Sequence, residues 1–321
     1  MFESVIGFLT FIFIIVMSVK IIILPLRSRR KPLKKHPIPE QLGIQIASGS
    51  PIVQSLDHAL SSSYVDNVKN RVLMEHPRWT NHEFEWAFFE LKRYFIMNSI
   101  LKTVPMFSAR VDDIWHEMLM FTRDYEKFSK DFYNEILHHT PNMEGTPIPG
   151  ERAFFDWVYL SLFEITPNSR AIWEGFLQNP IKREILDDFR RLPEHDLLSK
   201  YFRKSGDWIE VKRSLIHKMK NEINLSDDIK NGKKSLNVSP EATESQMFNY
   251  ALGAAVFYSI YEEGQFRDHM SEVLPIEYYK VSHSGGGSSC SGFSCSSSSD
   301  HDSGGDSGGS SCSSCGGGCS S

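Results

Sequence analysis

Cysteine is missing from the first 289 residues. All five cysteines of the 321-residue chain (Cys290, Cys295, Cys312, Cys315 and Cys319) stand in its last 32 positions. In a reducing compartment, no disulfide framework therefore holds the folded part together. A basic excess is missing as well. Thirty-five Lys and Arg against 40 Asp and Glu leave a net charge of −5, which is not the balance of a nucleic-acid binder. Nowhere does the chain sustain the two-residue alternation of half-buried strands. An HExxH helix, the mark of many zinc hydrolases, is absent. The composition also excludes collagen, a coiled-coil rod and a fully disordered chain.

What is present is distributed unevenly. Residues 282–321 hold 18 Ser, 11 Gly and 5 Cys. Such a segment has no apolar core to bury and is read as a disordered tail. Within it, Cys312, Cys315 and Cys319 have a spacing that suits thiolate binding of Zn or Cu(I). The flexible Ser and Gly around them offer no scaffold, so such a site would form against chain entropy.

At the other end, Val5–Leu26 reads VIGFLTFIFIIVMSVKIIILPL with Lys20 as its one charge. Twenty-two residues of helix span about 33 Å, enough to cross a bilayer core. Arg27, Arg29, Arg30, Lys31, Lys34 and Lys35 follow at once, whereas Glu3 is the one charged side chain before the run. The positive-inside rule then keeps the basic flank and everything after it in the cytoplasm, with a short N-terminus outside. The flank is also placed to touch anionic lipid. A cleaved signal peptide would need a basic start, a shorter apolar run and small residues at a cleavage site, and these are lacking.

The middle is helical in period nearly throughout. Helices are expected over 61–76, over 81–101 capped by Thr80, from Ala109 to about Phe121 capped by Ser108, and over 123–139. Further helices are expected over 152–165, 169–177, 181–191, 207–223 and 243–271. A small β contribution is assigned to 41–55, and polar 224–240 to a linker or long loop. Residues 247–261, MFNYALGAAVFYSIY, fall short of a membrane span and are read as a helix buried in the core. The fold class is thus mainly α. An irregular multi-helix bundle follows an anchor at 1–26 and a juxtamembrane linker at 27–52. It divides into a domain at 53–223, a linker at 224–242 and a helical segment at 243–281, with the tail behind it.

The most distinctive stretch is 111–141, VDDIWHEMLMFTRDYEKFSKDFYNEILHHTP. Asp112 and His116 are four apart on one expected helix and share a face. Glu135 stands three before His138 and four before His139 on the next. A short connection would lay the two helices antiparallel, bringing the imidazoles and carboxylates to one place. Imidazole nitrogens with carboxylates as ligands or orienting groups are what a Zn or Fe site needs. The plainer reading has Trp115, His116 and Tyr125 as packing residues with satisfied polar tips. In that reading His138 and His139 close a helix, where a cation suits the dipole.

Val111, Asp112, Trp115, His116, Tyr125, His138, His139 and Pro141 together resemble the core motif of the glycine-rich domain protein family. That motif runs Val-Asp-x-x-Trp-His, then a Tyr, then His-His-x-Pro. The likeness covers roughly residues 60–145 and includes Trp86 and Tyr94 in the preceding helix. Ser129 stands where the family often has Cys. The resemblance implies an all-helical domain with no established enzymatic activity, and the Gly-rich tail suits the family's habit.

The leading expectation is a membrane-anchored, cytoplasmic binding or scaffolding protein, with a groove near Trp115 and His116 and a metal or protein as partner. Its rival is a metal-dependent hydrolase with Asp112, His116, His138 and His139 as ligands, Glu135 as base and an open position for water. RNA binding through the basic flank and exposed aromatics is the third reading. It requires steep salt dependence.

Overall fold

The computed structural model describes residues 32–139, 149–204, 207–235 and 243–274. The described residues belong to one compact unit, and 1–28 and 284–321 lie outside the described residues. The expected anchor at 5–26, the Ser/Gly/Cys tail and the tail's cysteines fall there. Among the described residues, no helix is long and apolar enough to cross a membrane.

Twelve α-helices build the described part. They are α1 (Ser50–Ala59), α2 (Ser62–Glu75), α3 (Asn81–Ile100), α4 (Ala109–Leu119), α5 (Thr122–Tyr133) and α6 (Pro149–Leu162), then α7 (Pro167–Ile172), α8 (Arg183–Arg191), α9 (Glu194–Tyr201), α10 (Ile209–Lys230), α11 (Glu244–Tyr261) and α12 (Phe266–Val273). Bridges between Ile44 and Phe163 and between Leu101 and Phe202 are isolated, and no strand forms among the described residues.

Helix α3 is the axis. Its sequence has no polar face, and from Phe84 to Ile100 nearly every residue is buried, including Trp86, Phe89, Phe95 and Met97. A helix apolar all round must be surrounded, and α1, α2, α4 and α7 pack against it. Thr80 and Glu83 close a full capping box at its start: Thr80 Oγ1 accepts from Glu83 N at 3.2 Å and Glu83 Oε2 accepts from Thr80 N at 2.9 Å. These bonds satisfy backbone N–H groups that the first turn leaves without partners. Thr80→Ala is expected to cost about 1 kcal/mol of unfolding free energy, read as a lower urea midpoint at unchanged slope.

Several boundaries differ from those expected. The 41–55 segment forms no strand, and its β contribution is limited to the isolated bridge at Ile44. Pro51 opens α1, and Ile52, Val53, Leu56 and Ala59 are buried at helical spacing. Helix α9 had no counterpart in the expected set. Helix α10 runs on through Lys230 into the stretch read as a linker, because Ile223 and Ser226 are buried and Asp227 binds Arg190 and Tyr261. The single helix expected over 243–271 breaks at Glu262, giving α11 and α12. The 247–261 run is a core helix: Phe248, Ala251, Leu252, Ala255 and Val256 are buried, and α11 packs on α6, α8 and α10.

The largest departure is at the end of α5. The helix expected to reach His139 stops at Tyr133, because Asn134 takes the left-handed conformation (φ 59°) and its N–H closes on Lys130 O at 3.1 Å. Asn tolerates this region better than most residues and ends helices there. Residues 135–139 then return along the molecule without helical structure.

Candidate metal centre

Helix α4 is amphipathic by spacing. Val111, Ile114, Trp115 and Met118 are buried, and Asp112 and His116 lie on the stripe beside them with side chains 30% and 50% exposed. Ser108 starts the helix by accepting from Val111 N at 3.3 Å, and its own hydroxyl donates to Ile172 O at 2.7 Å. The helix is therefore capped and tied to α7 by one side chain.

The return after α5 delivers the third group. His139 Nε2 lies 2.8 Å from Asp112 Oδ1, with the imidazole largely buried. His116 Nδ1 lies 3.7 Å from Asp112 Oδ2. The two imidazoles face one another with centroids 4.7 Å apart. One donor atom from each of Asp112, His116 and His139 falls within 4.8 Å of the others. Bonds of about 2.0–2.2 Å to a tetrahedral ion place donors roughly 3.3 Å apart. One pair is already closer than that. The wider spacings involve the half-exposed His116 ring, whose Nδ1 is 3.7 Å from Asp112.

A buried aromatic wall stands behind these groups. Trp115 packs edge-on against His139 with centroids 4.3 Å apart, and Tyr94 and Phe95 of α3 pack against Trp115. The indole N–H donates to the Tyr125 hydroxyl at 3.0 Å, and that hydroxyl donates to Leu137 O at 2.6 Å. Burial raises the Tyr125 pKa above the ordinary phenol value, so the hydroxyl keeps its proton and its donor role. Trp115 and Tyr125 are thus packing residues, and they also border the cluster.

The other expected site residues do not join it. His138 is exposed and is not one of the three converging donors. Glu135, read as a base on one face with the histidines, is instead exposed and ion-paired with Arg203. Both results follow from the helix ending at Tyr133, which removes the i, i+3 and i, i+4 relations. Cys312, Cys315 and Cys319 lie outside the described residues.

Two charged constellations escaped sequence reasoning. Glu90 and Arg93 are fully buried in the middle of α3. Glu90 accepts from Ser169 Oγ (2.6 Å), Tyr159 OH (2.6 Å) and Trp173 Nε1 (2.8 Å). Arg93 donates to Leu42 O (2.9 Å) and Tyr159 OH (2.6 Å) and lies 3.5 Å from Glu90 Oε1. Gly43 sits so close that a Cβ there would come within 2.7 Å of Arg93 Nη2. The signal available was a Glu and an Arg three apart in a helix that has no polar face. The second constellation is Glu222 on α10, whose carboxylate accepts from Trp157 Nε1 at 2.5 Å.

Two imidazoles and one carboxylate form a donor set used for Fe(II) and for catalytic Zn, both of which keep further positions open. Residues 54–146, under a third of the chain, match the model of a family described as UCP032817-like. That span contains Asp112, Trp115, His116, Tyr125, Glu135, His138 and His139. No curated protein and no solved structure matches the chain.

Proposed function

We propose that this chain is a metal-dependent helical binding protein holding one Zn or Fe(II) ion on Asp112, His116 and His139. The observation that carries the reading is the meeting of these three donors within 4.8 Å, although two come from α4 and one from a non-helical return. The apolar run at 5–26 is its membrane tether, with the basic flank toward cytoplasmic lipid and the folded part in the cytoplasm. The likeness to glycine-rich domain proteins falls on the same span and supports a binding role. A protein or small anionic partner completes the ion's coordination. The chain's acidic balance argues against RNA as that partner.

Hydrolysis is the second reading, favoured by the coordination position that three ligands leave for water. The engagement of Glu135 by Arg203 removes the base that reading relied on, so binding leads.

The test uses the full-length chain with its five cysteines changed to Ser, so that tail thiolates take no metal. The expected result is one equivalent of Zn or Fe after purification, with a melting temperature lowered by chelation. His116→Ala should weaken the site by more than about 100-fold, beyond what loss of an outer-shell contact costs. Substoichiometric metal, with melting unchanged by chelator, would sink the proposal. Metal-dependent turnover of simple ester or phosphoester substrates would instead move the reading to hydrolysis.

A further inference from the structure

Of the three donors, two are fixed by helix geometry. Asp112 and His116 are one turn apart on α4, which is capped at Ser108 and packed on α3. His139 has no such support. It follows a left-handed Asn134 and four residues of irregular backbone. Its position beside Asp112 depends on whatever holds that return in place.

Glu135 pairs with Arg203 at the start of the return, and the contacts nearest His139 meet at one phenol. Leu137, two residues before His139, is buried, and its carbonyl accepts from Tyr125 OH at 2.6 Å. The Tyr125 hydroxyl oxygen in turn accepts from Trp115 Nε1 at 3.0 Å. A hydroxyl is the side-chain group that serves both partners, since it accepts and donates at one atom. Trp115 also forms the edge-on wall against His139. One pair of side chains therefore ties α4, α5 and the return together directly behind the donors.

We infer that Trp115 and Tyr125 form a latch that positions His139, so that Tyr125 decides whether a bound ion meets three protein ligands or two. Neither residue touches the ion. Each acts through the backbone at Leu137 or the face of the imidazole. The inference rests on the metal reading above. It adds that ion binding and closure of the 135–139 return are linked, each favouring the other by the same factor.

Cobalt(II) is the probe, titrated into the full-length chain on the Cys-to-Ser background. Its visible absorption reports both occupancy and coordination number. Tyr125→Phe keeps the ring and deletes the oxygen. It is expected to weaken cobalt binding about 10- to 100-fold, the range for outer-shell partners, and to shift the spectrum toward that of His139→Ala. Tyr133→Phe is the matched control: Tyr133 is another buried tyrosine of α5, with its hydroxyl on Phe95 O at 3.0 Å, and its loss should leave affinity and spectrum unchanged. Wild-type binding by Tyr125→Phe overturns the latch while the metal site stands. Equal weakening by both variants also overturns it, because generic packing then explains the loss. Absence of saturable cobalt binding in the parent chain removes the metal reading and the latch together. Should Tyr125→Phe lose helical circular dichroism, Trp115→Phe carries the same comparison, since it removes the indole donor and keeps an aromatic wall.

Discussion

Glu90→Gln is expected to cost about 3–5 kcal/mol of stability, the range for leaving one partner of a buried ion pair behind. Glu90 is fully enclosed, and its two oxygens accept from Ser169, Tyr159 and Trp173 with Arg93 alongside. A carboxamide replaces one acceptor oxygen with an N–H donor. At least one of the donors now aimed at Glu90 would then face another donor, and a buried donor without an acceptor costs about 1–3 kcal/mol. The Arg93 guanidinium would also lose its counter-charge. Its stacking on Phe89, with the guanidinium carbon 4.2 Å from the ring centroid, is too weak to replace that charge. For a body of this size the loss corresponds to a fall in melting temperature of roughly 10 °C. Urea unfolding of the full chain measures it. The double change Glu90→Gln with Arg93→Met should recover part of the loss, because removing both charges also removes the cost of burying one alone. A penalty below about 1 kcal/mol for the single change would show that this network does not hold α3 to α6 and α7.

That network also marks where sequence reasoning reached its end. The helical class was legible because apolar residues recur at three and four along α2, α3 and α4, and because Ser61, Thr80 and Ser108 stand where caps are needed. The pairing of Asp112 with His116 was legible for the same reason, since helix geometry alone puts i and i+4 together. His139 is a candidate from helical spacing that the folded chain does not have. It reaches Asp112 because the helix stops early, and a left-handed Asn134 leaves no period to read. The match of 54–146 to a family covers these residues without assigning them a task. Glu90 and Arg93 were invisible as a pair with Tyr159, Ser169 and Trp173, whose sequence separations of 66 to 83 residues carry no local signal. Long-range partners of a buried charge are set by packing, and packing is not periodic.

Raising the pH from 5 to 8 is expected to destabilise this protein through Glu222, by about 2 kcal/mol. Its carboxyl is largely buried between α10 and α6, and burial pushes its pKa from 4.5 up to about 7. The Trp157 N–H and the Lys218 ammonium oppose the shift without cancelling it. The folded state therefore holds the Glu222 proton more tightly than the unfolded chain does. The stability this provides is complete below pH 4.5, falls as pH rises, and is lost once pH passes about 7. The full shift would correspond to about 3.4 kcal/mol, and partial solvent contact of the side chain reduces it. Lys218, one turn before on α10, is itself held below its ordinary pKa by burial. Its ammonium donates to Ser161 O at 2.8 Å, which limits how far it can turn to compensate. Glu222→Gln should flatten the wild-type dependence over this window while keeping an acceptor for Trp157. The comparison is made by urea unfolding at pH 5, 6, 7 and 8, with the difference between the two proteins as the readout. Asp156, also raised by burial, is common to both and drops out of the difference. Parallel curves for the two proteins would mean that Glu222 is already ionised at pH 5 and that the α6–α10 contact tolerates its charge.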